Sequence, residues 1–507
     1  MKHGGIFLRL AGVLLVVMAI LMGACAGISA YYHEAITASL SSCAFGFFGV
    51  GLLSILLTQK SRRLPSLLSL PQFDIDHRGS FWVTTGIWIL IPLVGMVPYL
   101  MTGLFPSLTD AAFESFSGFT TTGSSVINTP EEVPVSLLLW RSITQWMGGL
   151  GLMLLIIFLI RNRQFGITSR SSQLLYEAEF SGTVQRKLHP HLSTSVGRMW
   201  GIYVSLTVLA IVALFLCGND LVESICLGLS TVSTGGFMTR SGGMIGYSTS
   251  SIIVVTIFMF ISGINVALVY YTLSTTAHKF RGKGYSNQPI HDEEFKLYVI
   301  VYLVAVLSCV AAFVVNGNLL KESLLYSFFH IASTISTCGF YTPNPSQWPM
   351  WVSIVTFFLI FIGASSGSTG GGIKLKRIMI LVKYVRNYFL TMIHPNAVSC
   401  VRIDRMVIER DYISKIFAFV FVYLMLVAAG GFVLTICGST ISEAICMAAT
   451  NIANLGPSPL MNNMGVAVDY ALLPNVAKWT LIILMLAGRL EVFAMAAIII
   501  PDYWKRQ

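Results

Sequence analysis

The chain has 507 residues, 55% of them hydrophobic and 11% charged, with a formal net charge of +10 and a mean hydropathy of +0.75. A water-soluble domain needs far more polar surface, so this composition excludes a soluble enzyme and describes an all-α integral membrane protein. The nine cysteines are scattered without a C-x-x-C pair, which implies neither a disulfide framework nor a metal site.

An apolar run of about 20 residues crosses the hydrocarbon core as a helix. Ten transmembrane helices are expected in chain order: 7–29, 35–57, 82–103, 136–160, 199–217, 251–274, 297–315, 349–363 continued by 373–390, 415–436 and 477–500. The first run contains GACAGISA, so a cleaved signal peptide or a lipoprotein site at Cys25 stays open beside the favoured reading. That reading is an N-terminal helical hairpin over 1–63, because a second apolar run follows at once and ends in QKSRR, residues 59–63. The eighth run is interrupted in its middle.

Basic residues orient the chain. With the N-terminus inside, all but Arg141, Arg240, Lys321, Lys478 and the intramembrane Arg489 of the 32 Lys and Arg fall on the inner side. Both termini are then cytoplasmic. The net charge expresses this bias, and no nucleic-acid partner is needed to explain it.

One phrase recurs. STVSTGGFMT at 230–239 returns as STISTCGFYT at 333–342, and weaker copies surround TTTGS at 120–124 and ANLGP at 453–457. The anchor glycines are Gly123, Gly236, Gly339 and Gly456. An acid opens each preceding apolar stretch: Asp110, Glu223, Glu322 and Glu443. Stretches of 10–14 apolar residues are too short to span and read as re-entrant. The chain therefore holds four pseudo-repeated helix–re-entrant pore loop–helix units around one pore, at 80–165, 196–278, 294–390 and 412–503. Each tip alone is also compatible with an ordinary turn. Non-helical backbone at membrane depth survives only against protein or water, and four tips facing one axis meet that condition. A ring of their carbonyls would take the place of an ion's hydration shell. The expected cation-binding residues are Thr121, Thr122, Gly123, Thr234, Gly235, Gly236, Thr337, Cys338, Gly339, Asn454, Leu455 and Gly456. The hydroxyls of Thr121, Thr122, Thr234 and Thr337 are expected to add oxygens.

These tips resemble the selectivity filter of the Trk/Ktr/HKT superfamily of potassium transporters, and the resemblance covers residues 80–500. The N-terminal hairpin is similar to the additional helix pair of the Trk branch. GASSGSTGGGIKLKR at 363–377 looks like the intramembrane loop of the third repeat, and AGRLEVF at 487–493 like the last helix with its pore-facing arginine. Cys338 and Ser458 depart from the pattern without removing an anchor glycine. The resemblance implies K⁺ uptake across the bacterial inner membrane by a homodimer docked on cytosolic nucleotide-binding, RCK-type regulatory subunits. No cofactor is expected in this chain; the nucleotide belongs to the regulator. Sodium-selective HKT proteins typically carry serine at the first tip, so Gly123 favours K⁺, and a sodium-preferring relative of the same fold is the alternative.

Read from the residues, Ala364, Ser365, Ser366, Gly367, Ser368, Thr369, Gly370, Gly371 and Gly372 break a helix at membrane depth, since glycine costs about 1 kcal/mol in a helix. With Arg489 they form the expected gate; a plain kink is the simpler alternative. A mid-membrane arginine normally faces an interior cavity. Its alternatives are a structural ion pair with Glu491, whose adjacent position diverges on the helix, or with an acid of the outer repeats. Arg141 is expected to anchor the outer interface, and the outer acids to concentrate cations at the mouth. No H-E-x-x-H or G-x-S-x-G pattern marks a membrane enzyme. A carrier built from inverted helix pairs disagrees with four units of one orientation.

Overall fold

In lipid, a backbone that crosses must satisfy its own hydrogen bonds, so apolar sequence of this length resolves into helices. The computed structural model describes residues 4–58, 75–159, 169–179, 192–272, 292–341, 348–396, 400–404, 406–456 and 469–495. The basic stretches at 59–63, 161–163, 186–187, 279–283 and 505–506, and Ser458, lie outside these residues.

The described chain is mostly helical. Helices α1 (Gly4–Tyr31) and α2 (Thr37–Leu57) form a hairpin, followed by α3 (His77–Gly95), α4 (Val97–Met101), α5 (Leu108–Phe119), α6 (Val135–Gly149), α7 (Leu152–Leu159) and α8 (Ser169–Glu179). Then come α9 (Leu192–Leu216), α10 (Leu221–Val232), α11 (Thr249–Ser262) and α12 (Val266–Thr272). The remainder is α13 (Glu293–Val315), α14 (Leu320–Ile335), α15 (Met350–Ile362), α16 (Leu375–Ile393), α17 (Arg410–Ile436), α18 (Ile441–Ile452) and α19 (Asn475–Arg489), with a two-strand ribbon, β1 (Arg402–Ile403) and β2 (Met406–Val407).

Among the described residues six helical stretches are long and apolar enough to cross a membrane, or seven if α11 and α12, bent by 102°, count as one span. Of the other expected spans, 136–160 and 349–390 are pairs of shorter pieces, and 477–500 holds α19 and passes out of the described residues after 495. The sequence suggested one interrupted helix, yet four second helices break: after Gly149, after Ser262, after Ile362 and after Arg489. The reason is steric. A Cβ at Gly148 would overlap the Phe119 carbonyl, and one at Gly488 the Ile452 carbonyl. In the first and fourth units the end of a short helix presses on the second helix's backbone beside the break, whereas Gly263 meets the Tyr298 hydroxyl and Gly363 the Gly371 carbonyl of its own loop.

Two large apolar cores result. One joins the hairpin to the first and last helix–turn–helix units, and the other lies between the second and third. Outward faces stay apolar, with Phe45 and Leu216 each 78% exposed, as lipid contact requires. The hairpin is tied to the body by Glu34, whose carboxylate accepts from the Ser136 hydroxyl and backbone N–H. Its two helices cross at Gly12 and Gly51, where small residues let backbones approach. A Cβ on Gly12 would sit 2.8 Å from the Gly51 carbonyl oxygen, whereas nothing lies within 4 Å of one on Gly23. Gly12→Val should therefore lower stability by about 1–3 kcal/mol through overpacking. Thermal unfolding of the detergent-solubilised protein, with Gly23→Val as an unaffected control, checks this.

Candidate functional site

Four short helices, α5, α10, α14 and α18, end in the same turn. The N–H groups of Thr122, Gly235, Cys338 and Leu455 reach back five residues to Ser117, Ser230, Ser333 and Thr450 at 2.8–2.9 Å, the bond that defines a Schellman cap. The residue before each is left-handed: Thr121 (φ 54°), Thr234 (53°), Thr337 (58°) and Asn454 (53°). Glycine usually occupies that position. Three β-branched threonines there carry about 1–2 kcal/mol of strain each, and strain of this kind collects at functional sites. Two residues on, Gly123, Gly236, Gly339 and Gly456 are left-handed again, at φ 83–86°.

The turns converge. A Cβ on Gly123 would overlap the Gly235 carbonyl oxygen, one on Gly236 the Cys338 carbonyl, and one on Gly456 the Thr122 carbonyl. The tips thus follow one another in chain order, with the fourth beside the first. Side chains brace them: Gln145 Nε2 donates to the Gly235 carbonyl at 2.6 Å, and Ser124 Oγ to Asn451 Oδ1 at 2.9 Å. The hydroxyls of three expected ligands are occupied within the protein. Thr122 Oγ1 accepts from Asn454 Nδ2 at 3.1 Å, Thr234 Oγ1 donates to the Ser233 carbonyl at 2.6 Å, and Thr337 Oγ1 accepts from the Gly371 N–H at 2.6 Å.

Ion pairs back the ring. Arg141 is not an interfacial anchor: it is 2% exposed, and its Nε lies 2.7 Å from Glu114, which also accepts from Ser125 and the Val126 N–H. Arg240 pairs with Glu223 at 2.7 Å and Lys478 with Asp110 at 2.6 Å. Three acids expected to concentrate cations are thus neutralised by three of the four outer bases, because an unpaired charge at low dielectric is costly. Asp220 caps α10, and Glu443 completes a capping box on α18. A cavity of about 340 Å³ opens on the outer side of the ring between Gly123, Gly236, Arg240, Tyr341 and Asp469. At its rim Glu131 accepts from the Ser241 N–H at 2.7 Å. Partial burial alone would raise the Glu131 carboxyl; the Ser241 bonds outweigh it and hold it below the ordinary value.

The 363–374 segment lies on the deep side of the tips, where the short helices end. Its first half is fastened to the break in the second unit's second helix and to the start of the third unit. Ser365 N–H donates to the Gly263 carbonyl at 3.0 Å, Ser366 N–H to buried Glu294 at 2.5 Å, and the Gly367 carbonyl accepts from Val266 N–H at 3.1 Å. Its second half touches the second, third and fourth units. Thr369 Oγ1 reaches the Val232 and Ser262 carbonyls at 3.3 Å, and Gly371 meets Thr337. A Cβ on Gly370 would meet the Ser336 carbonyl, and one on Gly371 the Ala453 carbonyl, so only glycine lets the loop lie this close. Ala364 accepts from the Leu375 N–H, Ser368 Oγ bonds the Ser365 carbonyl, and Gly372 is left-handed at φ 77°.

Arg489 joins the loop to the first unit. It donates to the Thr369 carbonyl at 3.1 Å and to the carbonyls of Gly148 and Gly149. The Glu491 carboxylate binds Arg377 at 2.5 Å. A cavity of only about 40 Å³ remains here, walled among others by Glu179, Lys374, Asn454, Arg489 and Glu491. Sequence reasoning missed Glu294, Glu179 and Lys374. Glu294 had a visible signal in DEEF ahead of an apolar run, whereas Glu179 reaches the site from a segment with no membrane signature.

The class follows from this architecture: a polytopic helical membrane protein with four convergent glycine-tipped turns and an internal loop packed against them. Residues 56–505 match the cation transport protein (TrkH) family, and the chain belongs to it. It is 30% identical over 440 residues to the Trk system potassium uptake protein TrkH of Salmonella typhimurium, covering 85% of this chain and 87% of that one. It is 28% identical over 437 residues to the Trk system potassium uptake protein TrkG of Escherichia coli K12, covering 85% and 86%. The crystal structure of the potassium transporter TrkH from Vibrio parahaemolyticus superposes with a TM-score of 0.83 at 25% identity, covering 98% of this chain and 99% of that one.

The Glu114–Arg141 pair offers a direct check. Glu114→Ala leaves a buried guanidinium unmatched and should cost about 3–5 kcal/mol. Glu114→Ala with Arg141→Met should recover much of that loss in the same thermal-unfolding assay.

Proposed function

We propose that the chain takes K⁺ into the cell down its electrochemical gradient, the four turns forming one selectivity filter. The observation that carries this reading is the ring itself: four left-handed turns of identical form, with Gly123, Gly236 and Gly456 each against the next tip's carbonyl. The relatives' names, Trk system potassium uptake proteins, point to the same ion. As a member of a cation transport family the protein is a transporter and not an enzyme.

A dehydrated K⁺ ion would sit among the inward carbonyls, which replace its water. The short helices aim their negative C-terminal ends at it. The membrane potential supplies about 2.3 kcal/mol per 100 mV for each charge moved inward. In this reading the 363–374 loop is the gate, held shut by Thr369, Thr337 and Arg489. Ten spanning helices, the domain boundaries given above and cytoplasmic termini belong to the same proposal. So do a homodimer and docking of nucleotide-binding regulatory subunits on the basic inner face.

The test is cation flux into proteoliposomes holding the purified protein, with imposed K⁺, Rb⁺ or Na⁺ gradients. K⁺ and Rb⁺ should enter well and Na⁺ poorly, with Gly123→Ser eroding the preference. Equal Na⁺ entry in the unmodified protein would overturn the ion assignment in favour of a sodium-preferring transporter of this fold.

The gate has its own check. Thr369→Val keeps the shape and removes the hydroxyl's bonds, each worth about 0.5–1.5 kcal/mol. Basal K⁺ flux should rise several-fold; unchanged flux would mean that the loop does not limit conduction.

A further inference from the structure

Lys374 closes the 363–374 loop and precedes α16 directly. Its placement is unfavourable on three independent counts. The backbone is left-handed at φ 77°, without glycine's freedom. The side chain is buried. The residue is also the N-cap of α16, so its positive charge lies at the positive end of a helix dipole. Its ammonium turns back to the carbonyl of Gly370 in its own loop and walls the 40 Å³ cavity on the deep side of the tips.

Asn454 of the fourth tip faces the same cavity. Both protons of its amide are used, on Thr122 Oγ1 at 3.1 Å and the Met485 carbonyl at 2.9 Å. Its Oδ1 is buried and has no hydrogen-bond partner among the described residues. The residue with this unmatched acceptor thus lines a space walled also by Lys374 and Arg489 and by the carboxylate residues Glu179 and Glu491. That space is about the size of a few waters or one ion.

We infer that Lys374 is a tethered blocking cation: its ammonium holds the cavity that a K⁺ ion leaving the filter past Asn454 Oδ1 would enter. The inference rests on the conduction pathway proposed above and extends it. Ion occupancy of the cavity and seating of the loop are then mutually exclusive. Rising external K⁺ displaces the ammonium and opens the path, so the transported ion promotes its own passage. Arg489 serves differently, since it clamps the loop to the first unit through carbonyls.

The experiment is Rb⁺ tracer flux into proteoliposomes of the full chain across a range of external K⁺, for the unmodified protein, Lys374→Met, Lys374→Arg and Lys376→Gln. Lys374→Met keeps length and volume without charge. It should raise flux at low K⁺ by about tenfold or more, the least that a unit charge a few ångströms from the ion's path imposes. It should also remove the steep dependence on external K⁺. Lys374→Arg should keep the unmodified protein's steep dependence, and Lys376→Gln, which alters a neighbouring charge, should match the unmodified protein.

Thermal unfolding supplies the second readout. Loss of a blocking charge at the wrong end of a helix should leave stability equal or higher. A lower melting temperature with unchanged flux would make Lys374 a structural cation and overturn the inference. Unchanged flux and concentration dependence in a well-folded Lys374→Met would overturn it as well, with the K⁺ pathway intact. Failure of the pathway reading shows separately, as Na⁺ entering as readily as Rb⁺ in the unmodified protein.

Discussion

A polar turn held at membrane depth can send its backbone groups only to another part of the same protein. Much of this structure follows from that constraint. One tip could not satisfy it alone, because its glycine-rich backbone has no side chains to shield it. Four tips do so together: Gly123 lies against the Gly235 carbonyl, Gly236 against Cys338, and Gly456 against Thr122. The same contacts explain why no larger residue fits, since the space a Cβ would take is already a neighbour's oxygen. Strain at Thr121, Thr234 and Thr337 is the accompanying cost, and the Schellman bonds behind each residue hold it in place.

The charges follow the same logic. A carboxylate in a short helix, even one such as Asp110 or Glu223 whose first-turn position favours the dipole, is expensive to bury alone. Glu114, Glu223 and Asp110 each find a base, and in two cases the partner comes from the same unit. The Asp110–Lys478 pair instead joins the first unit to the fourth and closes the circle on its outer side. Arg489 joins the same two units on the deep side, through the Gly148 and Gly149 carbonyls. The seam between the ends of the chain is thereby held at both levels.

The legible part of this site was what repeats. Gly123, Gly236, Gly339 and Gly456 stood out because the sequence states the same pattern four times, and Arg489 because a lone base in an apolar helix is rare. The breaks in the second helices were less visible. GGLG at 148–151 and SG at 262–263 look like tolerable glycines until a short helix is set against them. Glu179 was illegible, and Glu294 visible only as an acid ahead of an apolar run, because their roles are contacts across more than 70 residues, to Trp88 and Ser366. No periodicity encodes such contacts. Arg141 was misjudged because position along a helix says nothing about which neighbour covers it.

A single chain with four units has a freedom that four identical subunits lack. Identical subunits would place the same residue at each tip and the same break in each second helix. Here Asn454 replaces threonine in one tip only, one break is lengthened into a twelve-residue loop, and one second helix ends in an arginine at its break. These three departures meet at one place, because the loop of the third unit lies between Thr337, the Ala453 carbonyl and Arg489. The near-symmetric part of the ring suits a spherical ion, which has no preferred direction. The asymmetric part lies on the deep side, where a single loop can close one path without needing four copies to move together. Divergence among the repeats is therefore concentrated on the deep side, where the proposed gate lies, and near-identity is kept where the ion would sit.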